Sequence, residues 1–290
     1  MMNWRAKDTK FTRKSTIRIG GRLMDLSTPK IMGIVNITPD SFYDGGSSET
    51  IDSVLAKVQR YVDEGSDILD LGAQSTRPKA EQIGPMDEWK RLEGPLREIV
   101  NSFPDRTISI DTYHSSVAER ALENGAHIIN DISGGTLDDN MFATVGKWKV
   151  PYILMHIQGA PENMQDNPHY NHVVEDVATD LASKCKSLIQ AGVDDIIIDP
   201  GFGFGKTTEH NYVLLRDLDY LIEIGHPLLI GISRKSMIWK TLQTSASEAL
   251  NGTSALHMHA LQQGASILRV HDVKEAVEVR TLWQQLQAKA

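Results

Sequence analysis

The chain has one cysteine, Cys185, among 290 residues, so no intrachain disulfide can form. That fits a reducing compartment. Cys185 falls in a helical stretch with no partner at a spacing that marks a nucleophile, and it reads as an inert, buried or half-buried thiol. No apolar run approaches the ~18 residues of a membrane-spanning helix, and the opening MMNWRAKDTK has no apolar signal core. The expectation is a soluble, cytoplasmic protein with no membrane partner. There is no block of like charge, and the net charge of −8 opposes general binding to nucleic acid or anionic lipid. A small anionic substrate stays open, because a local Lys/Arg cluster can outweigh the global sign.

Several familiar motifs are also missing. GFGFGKT resembles the end of a phosphate loop, but the required first glycine falls at Pro200. His257 and His259 stand two apart on a predicted helix, so they face different directions, and no cysteines accompany them; nothing there marks a zinc site. No serine sits in a GxSxG elbow.

What the chain does have is repetition. With 40% apolar residues it can bury a large core. Eight short runs rich in Ile, Leu and Val each end in a polar or turn-forming residue. They are IMGIV into Asn36, ILDLG into Gln74, ISI into Asp111, HIIN into Asp131, YILM into His156, IIID into Pro200, LLIGI into Ser233 and ILRV into His271. Helical periodicity separates most of them. Chemistry-bearing side chains at the carboxyl ends of eight strands define a (β/α)8 TIM barrel, in which distant residues converge on one mouth. Its strands are expected near 31–35, 68–71, 107–110, 127–130, 152–156, 195–198, 228–232 and 267–270. The helices are expected near 51–63, 86–102, 114–124, 139–147, 171–190 and 209–219, with two between the last strands and one over 272–287. The connections after strands are long and rich in Gly, Pro and Ser, whereas those after helices are mostly two to five residues. That asymmetry places a site at the strand ends. A doubly wound open sheet lacks support, since no strand–GxGxxG–helix unit opens the chain.

Before the barrel, residues 15–19 and 22–26 alternate around Gly20-Gly21, a hairpin signal. The expected organisation is a segment 1–28 with a β-hairpin that closes the N-terminal end of the strands, then one barrel domain over 29–290.

Asp111, Asn130 and Asp199 point inward from strand ends. A carboxylate there is costly unless a ligand or cation pairs with it. Any one of them alone also fits a structural role; three together favour a planar ligand presenting several N–H donors, such as a pterin, purine or guanidine. Ser233-Arg234-Lys235-Ser236 opens a helix, and Arg269-Val270-His271 ends the last strand. Their position suits an anion better than a solvated basic face does. Asn36 and Asp40 can offer oxygens to magnesium, which needs few protein ligands when a phosphate supplies the rest.

At this point the residues carry a family likeness. IMGIVNITPDSFYDGG and GSDILDLGAQSTRP resemble the two signature segments of the dihydropteroate synthase family. ISIDT, IINDISGG, MHIQGAPENMQ, DPGFGFGKT, ISRKS and RVHDV resemble its other strand-end motifs in order, over residues 16 to 280. The resemblance implies condensation of 4-aminobenzoate with (7,8-dihydropterin-6-yl)methyl diphosphate in folate synthesis, a magnesium requirement and a homodimer. It implies pterin contacts at Asp111, Asn130, Asp199 and Lys235, a metal ligand at Asn36 and diphosphate contacts at Arg269 and His271. Ser236 matches the contact to the aminobenzoate carboxylate and Phe204 a wall of that pocket; Met155 and Thr76 join the substrate-binding set. Asp40 and Phe42 fall in one closing loop, and Thr76, Arg77 and Pro78 in a second. The implied catalytic set is Asp111, Asp199, Lys235, Arg269, Asp40 and Arg77. One departure stands out: GGESTRP is frequent in the second signature, and here Ala73 and Gln74 give GAQSTRP. The alternatives are a pterin-binding methyltransferase domain on the same barrel, or a pterin-binding paralogue without activity.

Overall fold

A computed structural model describes residues 14–37, 48–74, 82–161 and 163–288. Two short strands, β1 (Thr16–Ile19) and β2 (Arg22–Asp25), pair antiparallel around Gly20 and Gly21. Both glycines have positive φ, 53° and 80°, as a two-residue turn matching strand twist requires.

The barrel follows. Its strands are β3 (Lys30–Asn36), β4 (Ile68–Gly72), β5 (Thr107–Asp111), β6 (Ile128–Asp131), β7 (Tyr152–Met155), β8 (Ile196–Asp199), β9 (Leu229–Ile230) and β10 (Ile267–Val270). They lie in the order β8-β7-β6-β5-β4-β3-β10-β9, every pair parallel, and a bridge from Ile198 to Leu228 joins the two ends. The expected barrel is therefore present. The strand expected over 228–232 is shorter than its apolar run, because its ladder to β10 covers only Leu229 and Ile230.

The helices are α1 (Ser48–Asp63), α2 (Pro85–Ser102), α3 (Ser115–Glu123), α4 (Met141–Trp148), α5 (Val173–Gln190), α6 (Thr208–Arg216), α7 (Asp219–Ile222), α8 (Ser236–Thr241), α9 (Leu250–Gln262) and α10 (Val273–Gln287). The helix expected over 209–219 is two, α6 and α7, interrupted at Asp217-Leu218. Helical stripes explain the packing. On α5, Val177, Leu181, Cys185 and Leu188 recur every three or four residues and are buried. Burial pushes the Cys185 thiol up to about 12, consistent with an inert packing residue.

Strand alternation divides the barrel interior. Near the N-terminal ends, Met32, Ile68, Ile128, Ile153, Ile197, Leu229 and Ile267 form an apolar tier, on which Ile17, Ile19 and Leu26 of the hairpin pack. The hairpin thus closes that end. Two residues along, polar groups enter the inward positions, with Asp70, Asn130, Asp199 and Arg269 standing beside Ile34, Met155 and Gly231. No helix among the described residues is long and apolar enough to cross a membrane.

Candidate active site at the barrel mouth

Parallel register aligns the strand ends. Asn36 stands opposite Gly72, Gly72 opposite Asp111, and Asp111 opposite Asn130. Farther round, Met155 stands opposite Asp199. A side chain at Gly72 would press on Asp111, its Cβ lying 3.3 Å from that of the aspartate. Glycine leaves Asp111 room at the mouth.

Arg269 crosses from β10 to the acids of β4 and β5. Its Nε donates to Asp70 Oδ2 at 2.6 Å and its Nη2 to Asp111 Oδ2 at 2.5 Å. Asn130 Nδ2 donates to the same Asp70 oxygen at 3.0 Å. Burial pushes the Asp111 carboxyl up to about 7; Asp70, Asp131 and Asp199 add to that, while Arg269 opposes it. Burial would lower the Arg269 guanidinium, but Asp70 and Asp111 overcome it and hold the group charged.

Asp199 ends β8. Its Oδ1 accepts from the Gly201 N–H at 2.7 Å, and burial raises its carboxyl against the pull of Lys235. Lys235 Nζ donates to the Phe202 carbonyl and lies 4.7 Å from the centre of the Phe204 ring. Burial lowers its ammonium to about 8, opposed by Asp199. Phe204 packs against an apolar cluster of Tyr113, Ile132, Met155, Ile157 and Met164. The mouth therefore carries a charged side and an apolar side, as a flat heterocycle requires.

Beneath that loop is an unforeseen arrangement. The side chain of Lys206 is buried and donates to His156 Nδ1 at 2.9 Å and to the carbonyls of Gly201 and Phe204 at 3.1 Å each. Burial lowers its ammonium to about 7 and drives the His156 imidazole down to about 2. Around Lys206 the chain turns through Gly201, Gly203 and Gly205, all at positive φ. A Cβ on Gly201 would sit 1.9 Å from the His156 carbonyl oxygen. His156, assigned no firm role by sequence, supports this loop.

On β9 and β10, Ser236 is the first residue of α8, with Lys235 as its N-cap. Arg234 forms a two-point ion pair with Asp272, 2.8 and 2.9 Å, and is committed to that contact. His271 follows β10 at the surface; its N–H donates to Ser233 Oγ at 3.2 Å and its carbonyl accepts from Tyr61 at 2.9 Å. Asn36, half-buried, ends β3. Gln74 bridges Gln82, and Tyr113 hydroxyl donates to the same Gln82 oxygen.

The structure thus gathers Asn36, Asp111, Asn130, Met155, Asp199, Phe204, Lys235 and Arg269 at one end of the barrel, with Ser236 and His271 on segments that follow β9 and β10. Asp40, Phe42, Thr76, Arg77 and Pro78 lie outside the described residues. Asp70, a polar residue inside ILDLG, was missed by sequence reasoning, and the alternation Ile68, Asp70, Gly72 is the signal that could have found it. Arg269, read as an anion contact, also lies against Asp70 and Asp111.

A closed parallel barrel with buried acids, an amide, a lysine and an arginine at its mouth defines a pterin-binding class, and residues 32–271 match the family model described as pterin binding enzyme. Over 265 residues the chain is 40% identical to the dihydropteroate synthase of Haemophilus influenzae, covering 91% of this chain and 96% of that one. Identity to the enzyme of Neisseria meningitidis serogroup C is 43% over 268 residues, covering 90% and 94%. The chain belongs to the dihydropteroate synthase family. Among solved structures, Xanthomonas albilineans dihydropteroate synthase with 4-aminobenzoic acid superposes with a TM-score of 0.88 at 38% identity, covering 95% and 99%. The Yersinia pestis enzyme in complex with a sulfonamide drug gives 0.87 at 36%, covering 94% and 98%.

Proposed function

We propose that this chain catalyses displacement of diphosphate from (7,8-dihydropterin-6-yl)methyl diphosphate by 4-aminobenzoate, giving 7,8-dihydropteroate for folate biosynthesis. The observation that carries the reading is the Asp70–Arg269–Asp111 cluster beside Asn130, Asp199 and Lys235, in a chain of this family.

The chemistry follows from charge. The bond from the pterin methylene to the diphosphate breaks first, leaving a cation delocalised into the electron-rich ring. Asp111 and Asp199 stabilise it from the barrel end, and Arg269 with His271 stabilises the departing anion. Asn130 and Lys235 read the heterocycle edge, and Met155 covers a face. The aminobenzoate, its carboxylate at Ser236 and its ring against Phe204, then attacks through a nitrogen already neutral at pH 7, and the secondary ammonium formed releases its proton to water. Asp40, Thr76 and Arg77 carry the roles that the family resemblance implies for them.

Magnesium suits the amide that Asn36 carries at the end of β3, because that ion needs few protein ligands when a phosphate supplies the rest. Asn36, with Asp40, would bind it, and it would neutralise charge on the leaving group.

The same reading includes a cytoplasmic homodimer. The buried lone thiol suits a reducing compartment, and Leu282 and Leu286 on α10, 61% and 66% exposed, offer apolar surface to a second copy. Sedimentation of the purified chain tests the assembly; a monomer at micromolar concentration opposes it.

The decisive assay supplies the pterin diphosphate and magnesium, with and without 4-aminobenzoate, and follows diphosphate and dihydropteroate together. Stoichiometric formation of both, dependent on aminobenzoate, is expected. Absence of product would sink the synthase reading and favour a methyltransferase domain or a non-catalytic pterin binder.

A further inference from the structure

Asp70 stands out among the residues of the mouth. It is fully buried, and the sequence motifs assign it no role. A single oxygen, Oδ2, accepts from both Arg269 Nε and Asn130 Nδ2, while Oδ1 has no partner among the described residues. A buried carboxylate serving two donors through one oxygen is expensive unless the cation it holds is needed in place. Arg269 meets Asp70 through Nε and Asp111 through Nη2. Guanidinium has five N–H donors, and these contacts use two.

We propose that Asp70 is a positioning residue that fixes Arg269 through its Nε–H, so that Nη2 can exchange Asp111 for the departing diphosphate. The inference rests on the synthase reaction above. Dissociation of the pterin–diphosphate bond creates an anion and a cation together. Exchange at Nη2 serves both: the guanidinium meets the anion, and Asp111, released from its ion pair, faces the cation. Without the Nε anchor, a freed Arg269 would follow the leaving group outward or remain on Asp111. Through the shared oxygen, Asp70 also ties Asn130 to the same anchor.

The test uses Asp70→Asn, Arg269→Lys and the double variant, with kcat and KM measured from pH 5 to 9. In Asp70→Asn, kcat is expected to fall about ten- to a hundredfold, less than the loss of a group acting on the transition state directly. The aminobenzoate KM should hold within about twofold, because that substrate is gripped elsewhere. The acid limb of kcat/KM should move to lower pH. Charges facing Asp111 come from Asp70 on β4, Asp131 on β6, Asp199 on β8 and Arg269 on β10, together with Lys235 and Glu88. Asp70→Asn removes one repelling charge and leaves Arg269 wholly to Asp111, and both changes favour the carboxylate. A purely structural role would lower stability and leave that limb in place. If Asp70 acts through Arg269, the double variant turns over within about twofold of Arg269→Lys alone.

Asp70→Glu keeps the charge and displaces the carboxylate, so its kcat falls while the acid limb stays; it decides the matter should Asp70→Asn fail to fold. Unchanged kcat in these variants, an unmoved limb in Asp70→Asn, or multiplying losses in the double variant would overturn the inference. If the wild-type chain forms no dihydropteroate, the synthase reading falls and this one with it; if the wild type turns over, those outcomes overturn this one alone.

Discussion

Replacing Arg269 with alanine removes the cation between two buried acids, and its consequences can be worked from the geometry. The contacts are 2.6 Å to Asp70 and 2.5 Å to Asp111. At a charge separation of about 4 Å and an effective dielectric near 20, each attraction is about 4 kcal/mol. Desolvation offsets much of that, but breaking a buried pair by removing one partner still costs about 3–5 kcal/mol. For a chain of this size, about 4 kcal/mol lowers Tm by roughly 8 °C. The cost should depend on pH. Asp111 already lies above the ordinary carboxylate range, at about 7, despite Arg269; without Arg269 it rises further. A carboxyl raised in the folded state contributes most below its unfolded value, about 4, and loses that contribution as pH rises through the folded value. The stability gap between wild type and Arg269→Ala should therefore hold nearly level below about pH 6 and widen above about pH 7. Turnover should fall a hundredfold or more, as when an electrostatic stabiliser of about 3–4 kcal/mol is lost. Urea unfolding at several pH values, with steady-state rates under the same conditions, measures both. A gap that stays constant with pH, or near-normal turnover, refutes the assignment of Arg269.

The hairpin and the loop after β8 give separate tests. Ile17→Ala, at a fully buried position of the plug, should cost about 3 kcal/mol and about 6 °C in Tm. Its kcat should be unchanged, because the plug lies at the end opposite the mouth; scanning calorimetry and initial rates check this. Lys206→Met should raise the aminobenzoate KM about fivefold by loosening the loop that carries Phe204. Burial lowers Lys206 to about 7, so its ammonium penalises the folded wild type most below pH 7, and the penalty fades toward pH 10. The stability of Lys206→Met relative to wild type should thus be most favourable near pH 6 and decline by pH 9, as read by urea midpoints.

Much of this molecule was legible in its sequence because barrel strands report locally. A strand buried on both faces reads as a continuous Ile/Leu/Val run, and residue 111 or 199 at its end marks the mouth without knowledge of its neighbours. Gly20-Gly21 likewise announces a hairpin through backbone conformation alone. Asp70 was less legible, since a polar residue inside an apolar run looks like an interruption until pairing with β3 and β5 shows which way it faces. Lys206 was hidden in a motif that resembles a phosphate loop, and only folding brings His156, fifty positions earlier, against it.

Sequence by itself determined the class of fold, the order of its elements, the end where polar strand ends gather and the identities of most side chains there. Those depend on side-chain period and on residue type, both local. Tertiary structure decided which charges meet: Arg269 with Asp70 and Asp111 across separations of 199 and 158 residues, Asn130 sharing Asp70, and Lys206 under the glycine turns. Closure of the barrel sets those distances, and electrostatic energy in a buried mouth depends on distances of a few ångströms that no spacing along the chain encodes.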